Sequence, residues 1–308
     1  MNPIEQQSFP DLPKGLTSFG AAVWEDDLFL YGGHFGHAHE YYREGQSDQF
    51  LRLSLSEPRD WELLPAGPRL QGLAMVAQAG KLYRVGGFAA RNEKGADQDL
   101  WSEADVAGFD LASKTWEPLP SLPSPRSSHD AVVLENRIYV AGGWALEGGK
   151  NSRFHQTALV LDLAAEPLAW EELPVPPFQR RALALGTLGG KVYVIGGMQE
   201  AGEPTTAVAV FDPQTNRWSE GPPLIGSPMA GFGPAACRQA GKLFVSTYEG
   251  SLQALEEGSS GWQTIEQIEP ARFFHRMLPL GSRQLLMIGG ANMEAGKFKS
   301  LQAVSLES

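Results

Sequence analysis

Apolar and polar residues alternate along the chain in short segments, in which an apolar run ends in a pair of glycines. The first glycines of these pairs are Gly32, Gly86, Gly142, Gly196 and Gly289. In a further segment, KLFVS, Ser246 and Thr247 stand where the glycine pair is expected. Such segments recur about every 50 residues, which indicates an internal repeat.

A tryptophan recurs at the same spacing, after each of the first five segments. These residues are Trp61, Trp116, Trp170, Trp218 and Trp262. Apolar runs such as VAVFD, followed by turn residues, precede the tryptophans. Each repeat therefore predicts four strands, because turns also separate the glycine-pair strand from an apolar run before it. One four-stranded sheet cannot bury both of its faces, so the units must pack against copies of themselves. Six units packed radially form a β-propeller.

Together these residues resemble the kelch-repeat family. The resemblance rests on the glycine pairs, on the tryptophans, and on Tyr83, Tyr139 and Tyr193 shortly before three of the pairs. It covers essentially the whole chain. It implies an all-β, six-bladed propeller with four antiparallel strands per blade, as one domain over residues 1–308. Glycine pairs permit positive φ and close backbone approach, and large indoles can fill the space between blades.

The last repeat contains a third strand but no tryptophan strand. The N-terminal segment FPDLP, Phe9 to Pro13, has an aromatic residue, a leucine and a proline at the spacing of WELLP. We therefore expect residues near Ile4 to Leu12 to form the outer strand of the sixth blade and to close the ring. The alternative is a disordered N-terminal tail and a sixth blade of three strands.

Composition limits the classes of partner. The chain has 36 acidic and 25 basic residues and a net charge of −11. Nucleic acids and anionic membranes are therefore not expected partners, because both require clustered Lys and Arg. The single cysteine, Cys237, excludes disulfides and multi-thiolate metal sites within the chain. No signal peptide or membrane-spanning pattern is present, so we expect a cytoplasmic protein, although a chain trimmed of its signal would look the same.

The family resemblance implies a ligand site on one rim, formed by the loops after each second strand and before each first strand. Counting back 16 residues from the glycine pairs places Arg126 and Arg180 on this rim. Reading the sixth repeat with a shorter hairpin places His275 opposite Arg180. With Arg181, these cations are expected to bind a carboxylate or phosphate. The alternative is that arginine at this position is ordinary kelch consensus and pairs with an aspartate or a carbonyl.

Further rim residues directly follow the glycine pairs or their equivalent. They are His34, Phe88, Trp144 and Tyr248. The aromatic rings can stack on a sugar or a peptide, or they can cap the blades. We include all four residues in the expected ligand site.

The first rim loop, GGHFGHAHEYYREG, contains three histidines, His34, His37 and His39. Imidazoles can bind zinc or copper, so a metal site is an alternative interpretation of this loop. Galactose oxidase is a kelch propeller that holds copper, but its cofactor needs a cysteine crosslinked to a tyrosine. Cys237 lies in a predicted first strand far from this loop in sequence, so we expect no metal and no cofactor.

The resemblance leaves two classes of function open. The first is a non-catalytic recognition module that binds a protein partner, or an anionic sugar or peptide ligand, on the rim. The alternative is a sugar-acid epimerase or mutarotase similar to the N-acetylneuraminate epimerase branch of kelch proteins. The catalytic residues of that branch cannot be placed in this chain, and no nucleophile elbow, zinc motif or phosphate loop is present. Whether the protein is an enzyme therefore stays open.

Overall fold

The structure, a computed structural model, describes residues 8–306. Six antiparallel sheets follow one another along the chain as the blades of a propeller. The first strands of neighbouring blades pack against one another around a central channel. The channel is lined by the first strands of all six blades. The predicted six-bladed kelch-type propeller is therefore confirmed.

The strands of each blade are consecutive in the chain, apart from the short strands of the rim. Blade 1 contains Gly20–Trp24, Asp27–Tyr31, Phe50–Ser54 and Glu62–Leu64. Blade 2 contains Ala74–Gln78, Lys81–Val85, Val106–Asp110 and Thr115–Leu119. Blade 3 contains Asp130–Leu134, Arg137–Ala141, Ala158–Asp162 and Trp170–Glu172. Blade 4 contains Ala184–Leu188, Lys191–Ile195, Val208–Asp212 and Arg217–Gly221. Blade 5 contains Ala235–Gln239, Lys242–Ser246, Ser251–Leu255 and Gln263–Gln267. Blade 6 contains Arg276–Leu280, Gln284–Ile288 and Leu301–Ser305 within the described residues.

Short paired strands and two 3-10 turns lie on the rim. The paired strands are Phe88–Ala90 with Leu100–Ser102, Trp144–Ala145 with Arg153–Phe154, Arg180–Arg181 with Met198–Gln199, and Ala291–Asn292 with Gly296–Lys297. The 3-10 turns are Arg43–Gly45 and Pro228–Gly231.

The core consists of apolar layers between neighbouring blades. Between blades 2 and 3, for example, Tyr83 and Val85 pack in one cluster with Ile138 and Leu161. The glycine pairs are required where blades meet at the rim. Gly86 has φ +54°, and a Cβ atom there would lie 2.5 Å from the Arg126 carbonyl oxygen. Only glycine allows this approach without displacing the neighbouring blade.

Each tryptophan of the repeat fastens its blade to the preceding one. The Trp116 indole donates a hydrogen bond to the Pro65 carbonyl at 3.0 Å. The equivalent bonds run from Trp170 to Pro120, from Trp218 to Pro174 and from Trp262 to Pro222. A buried or half-buried indole N–H usually finds such a partner. The recurring tryptophan is therefore explained by one hydrogen bond in addition to its apolar area.

The N-terminal segment occupies the equivalent place beside blade 1. Trp61 donates to the Asp11 carbonyl at 3.0 Å, as the other tryptophans donate to the preceding blade. The Leu12 amide donates to the Lys299 carbonyl at 2.8 Å, and Leu12 is fully buried against blades 1 and 6. Residues 8–12 contain no assigned strand, and residues 4–7 of the predicted closing strand lie outside the described residues. The described part of the segment therefore joins the two ends of the ring.

A continuous ring of backbone hydrogen bonds closes the propeller at its centre. The residue two positions before each first strand adopts positive φ, between +52° and +63°. These six residues, called the inner ring, are Ser18, Gly72, Ser128, Ala182, Gly233 and Phe274. The N–H of each donates to the carbonyl of its equivalent in the preceding blade, at 2.7 to 3.1 Å. The bond from Ser18 to Phe274 completes the circle between the first and last blades.

Candidate functional site

A cavity of about 650 Å³ lies at the mouth of the central channel, on the side of the inner ring. All six blades contribute to its lining. The long loops 32–49, 86–105 and 142–157 are tied together beside it. Gln98 donates to the His39 carbonyl at 3.0 Å, and Trp101 forms a β-bridge with Glu147. This mouth cavity is therefore held by a bonded set of loops on the side of blades 1–3.

An ion pair spans the channel at the floor of the mouth cavity. Arg276 of blade 6 and Asp130 of blade 3 are 2.8 Å apart. Arg276 also donates to the carbonyls of Phe19 at 2.9 Å and Leu73 at 3.0 Å. The second carboxylate oxygen of Asp130 accepts from the Leu185 amide at 2.9 Å. Five blades are thus joined by one cluster that lines the channel beneath the cavity.

Two arginines predicted for the ligand site are bonded inside the blades instead. Arg126 is fully buried and donates to the carbonyls of Gly142 and Thr157. Arg180 is 4% exposed and donates to the carbonyls of Gly196 and Ala207. Burial lowers the pKa of each guanidinium to about 10. The geometry matches the alternative interpretation, in which arginine here pairs with a carbonyl.

The sixth-repeat alignment is corrected by the structure. Its first hairpin turn spans residues 281–283, whereas the other blades use two-residue turns, so this hairpin is longer and not shorter. Arg272 takes the place of Arg180 and donates to the Gly289 carbonyl at 3.1 Å. His275 lies three residues further on and is equivalent to His129 and Leu183, not to Arg180.

Arg181 is the predicted cation that faces the mouth cavity. Its guanidinium carbon lies 4.0 Å from the centroid of the Trp144 ring. Among residues 8–306, the Arg181 guanidinium has no carboxylate within 4.0 Å and no hydrogen-bond partner. Burial lowers the pKa of Arg181, and the nearby phenol of Tyr41 opposes this shift. The cavity therefore contains a partly desolvated cation with a ring contact and no counter-ion in the described chain.

Tyr41 is positioned by two of the predicted aromatic or histidine residues. His34 is 3% exposed, and its Nε2 lies 3.1 Å from the Glu40 carbonyl oxygen. The centroid of the Tyr41 ring lies 5.2 Å from that of His34 and 6.0 Å from that of Phe88. Burial lowers the pKa of His34 to about 4, so this imidazole is neutral at pH 7. His34 and Phe88 thus hold the phenol at the cavity.

His129 and His275 line the cavity deep between the blades. They are 4% and 3% exposed, and neither nitrogen of either ring has a hydrogen-bond partner. The Val85 carbonyl approaches the His129 ring without meeting hydrogen-bond geometry. Burial lowers the pKa of His275 to about 3 and that of His129 well below its ordinary value. Two neutral imidazoles therefore occupy a position that is Leu73 or Leu183 in other blades.

The histidine loop does not assemble a metal site in the structure. His34 points inward, whereas His37 and His39 are exposed. No group of three or more His, Cys, Asp or Glu side chains within residues 8–306 is arranged to hold a metal ion. Cys237 lies buried in the first strand of blade 5, and burial raises its pKa to about 12.

The charged lining of the mouth cavity is cationic. It contains Arg181, Lys150 and Arg276 and, among the described residues, no aspartate or glutamate. Arg276 pairs with Asp130 and Lys150 pairs with Glu147, so within residues 8–306 Arg181 is the lining cation without a counter-ion.

Sequence reasoning missed Tyr41 and His129. Tyr41 lies in the histidine loop, and His129 directly precedes the first strand of blade 3. Neither residue type recurs at the equivalent position of every repeat, so the repeat pattern does not mark them.

A family profile described as the KLHDC2/KLHL20/DRC7 Kelch-repeats domain matches residues 18–247. The chain belongs to the kelch-repeat family. A solved structure, that of YjhT, superposes on this kelch protein with a TM-score of 0.78 over 97% of each chain at 16% sequence identity, which shows the shared fold alone.

Curated relatives of the kelch protein carry diverse names. The N-(sulfonatooxy)prop-2-enimidothioate sulfolyase of Thlaspi arvense is 27% identical over 240 residues, which are 70% of this chain and 64% of that protein. Beta-scruin of Limulus polyphemus is 24% identical over 66% of this chain and 21% of its own length. Kelch-like protein 35 of Mus musculus is 24% identical over 74% of this chain and 34% of its own length. The kelch protein thus matches less than two thirds of the length of each relative. No helix within residues 8–306 is long and apolar enough to cross a membrane.

Proposed function

We propose that this kelch protein is a non-catalytic recognition module and that its mouth cavity binds an anionic ligand. The observation that carries the proposal is the Arg181 guanidinium, which faces the cavity without a counter-ion among the described residues. Burying a cation without a partner is unfavourable. A carboxylate, sulfate or phosphate would offset this cost, because it accepts two parallel hydrogen bonds from a guanidinium.

The surroundings of Arg181 support a bound anion. Trp144 lies against the guanidinium at 4.0 Å and fixes its plane, and the Tyr41 phenol lies nearby. No carboxylate among the described lining residues would repel the ligand. The relative from Thlaspi arvense is named for a compound with a sulfonatooxy group, which is itself an anion.

The size of the cavity favours a small ligand over a protein partner. Its volume of about 650 Å³ lies within the range of about 300–1,000 Å³ that is usual for small-molecule sites. The loops 32–49, 86–105 and 142–157 border it on one side. We therefore place the anionic small ligand first and the acidic peptide second.

Isothermal titration with glucuronate, sulfate and a glutamate-rich peptide tests the proposal. Replacing the cation by Arg181→Met is expected to reduce affinity tenfold or more, since a charged hydrogen-bonded pair contributes about 1.5–3 kcal/mol. Arg59→Met is the control, because that side chain is 82% exposed and removes the same charge elsewhere. Binding that is equally strong in both variants would contradict a site at Arg181. Binding of the peptide alone would assign the cavity to a protein partner.

A sugar-acid epimerase is the second candidate function. It is favoured by His129 and His275, two neutral imidazoles with unpartnered nitrogens in the cavity lining. A neutral imidazole has one N–H donor and one acceptor nitrogen, so each ring can bind and orient a substrate hydroxyl that reaches it. Exchange spectroscopy by NMR on an equilibrating sugar acid would detect accelerated anomer exchange. Acceleration that is lost in His275→Gln would support catalysis. An exchange rate that the protein does not change would exclude epimerase activity on this sugar acid and favour the recognition module.

A further inference from the structure

Four aromatic side chains cluster at the cavity mouth on the side of blades 5 and 6. This aromatic wall consists of Phe232, Tyr248, Phe273 and Phe274. Phe232 and Phe274 meet edge to face with centroids 5.1 Å apart, and Tyr248 stacks on Phe273 at 5.2 Å. Phe232 and Phe274 line the cavity itself. Arg181 belongs to the cavity lining contributed by blade 4.

The aromatic wall is partly exposed because the loop beside it is short. Blade 5 joins its second and third strands through residues 247–250 alone, whereas blades 1–3 use the long loops described above. All four rings retain intermediate exposure. Of the four, Phe232 and Phe274 line the cavity, so a ligand that enters the cavity can reach these two rings.

Phe274 occupies a position where the fold does not need an aromatic residue. It is a member of the inner ring and has φ +52°. The other five members are serine, glycine or alanine, and all of them make the same ring hydrogen bond. Left-handed φ is unfavourable for a bulky residue. Small residues are thus sufficient to form the inner ring, and the fold alone does not explain the phenyl group of Phe274.

Gly233 makes room for the phenyl group. A Cβ atom on Gly233 would lie 2.8 Å from Cδ1 of Phe274, so the ring lies directly over this glycine. Gly233 belongs to the inner ring in the neighbouring blade. The two positions together hold one flat aromatic surface at the cavity. Flat aromatic surfaces bind other rings in offset or edge-to-face contact.

We propose that the anionic ligand carries an aromatic body, as in an arylcarboxylate or aryl sulfate. Its charged group binds Arg181, and its ring packs against Phe232 and Phe274. This inference rests on the proposed anion site and names the class of molecule that fills it. A mostly apolar pocket with a few fixed polar groups is the usual composition of a small-molecule site.

Matched probes separate the two parts of the site. Acetate supplies only the charge, benzoate adds a ring, benzyl alcohol supplies the ring without the charge, and glucuronate replaces the ring by a sugar. Titration of the intact protein is expected to show benzoate binding at least tenfold more tightly than acetate and glucuronate, and benzyl alcohol binding at least tenfold more weakly than benzoate. If benzoate binds no more tightly than acetate, the aromatic subsite is overturned. The anion site still stands in that case if acetate binding depends on Arg181.

Phe274→Ser is the decisive variant, because serine holds this position in blades 1 and 3 and preserves the inner ring. It is expected to lower benzoate affinity about tenfold and to change acetate affinity less than twofold. Arg181→Met is expected to weaken both. Equal loss of benzoate and acetate in Phe274→Ser, with an unchanged unfolding midpoint, would overturn the inference. Absence of binding for every probe would overturn both this inference and the anion site.

Discussion

Replacing Arg276 by methionine removes the cation at the centre of the propeller and tests whether the ion pair across the channel holds the blades together. Arg276 donates to Asp130 across the channel, at 2.8 Å. It also donates to the carbonyls of Phe19 and Leu73, at 2.9 and 3.0 Å. The Arg276 and Asp130 side chains are 24% and 10% exposed, so water can replace these donors only in part.

The expected loss in the free energy of unfolding follows from the groups that lose a hydrogen-bond donor. Two carbonyls each lose a hydrogen bond that contributes about 1 kcal/mol, and the buried Asp130 carboxylate loses a charged bond that contributes about 1.5–3 kcal/mol. Arg276→Met should therefore reduce the free energy of unfolding by about 3–5 kcal/mol, the usual cost of breaking one side of a buried pair. Asp130 keeps its bond from the Leu185 amide, which limits the loss.

Urea unfolding of a double-mutant cycle measures this coupling. Asp130→Ala is the matched partner, because alanine occupies the equivalent position at Ala74, Ala184 and Ala235. The double variant should be less destabilised than the sum of the single variants by at least about 1.5 kcal/mol, since it leaves no unpaired charge. A loss of less than about 1 kcal/mol for Arg276→Met, or strictly additive effects, would show that the ion pair does not hold the blades together.

Two further perturbations test the fold. Trp116→Phe removes the hydrogen bond to the Pro65 carbonyl and should lower the free energy of unfolding by about 1–2 kcal/mol in urea; an unchanged midpoint would contradict the fastening role of the indole. Burial lowers the pKa of His275 from its ordinary value to about 3, so the unfolded chain binds a proton at higher pH than the folded chain. The stability that depends on a neutral His275 is therefore complete above pH 6.5 and is lost as the pH falls towards 3. His275→Leu, which installs the residue found at Leu73 and Leu183, should abolish about 2 kcal/mol of the loss in stability between pH 7 and pH 5; an unchanged pH dependence would contradict a buried neutral imidazole.

The repeat made the fold predictable from sequence. The glycine pairs and tryptophans report contacts that every blade must make, and these contacts are local to one repeat and its neighbour. Gly86 is needed because a Cβ atom would collide with the Arg126 carbonyl, and Trp116 because its indole reaches Pro65. Such positions recur at a regular spacing, so a single sequence is sufficient to reveal them.

The candidate site was only partly predictable, because it depends on features that do not repeat. The adjacent residues Arg180 and Arg181 look alike in sequence, yet one bonds two carbonyls within its blade and the other faces the cavity. The sequence was read with a blade 6 hairpin two residues shorter than in the other blades, whereas the hairpin is one residue longer. This difference of three residues separates His275 from its expected equivalent. Tyr41 reaches the cavity from a loop whose path is set by contacts with another blade, which no local pattern encodes.

Titration with benzoate at low ionic strength, of the wild-type protein, Arg181→Met and Arg59→Met, tests whether the mouth cavity binds anions at Arg181. We expect saturable binding to wild type, an affinity at least tenfold lower in Arg181→Met, and a change of less than twofold in Arg59→Met. Equal affinity in wild type and Arg181→Met, with both proteins folded, would contradict an anion site at the mouth of the channel.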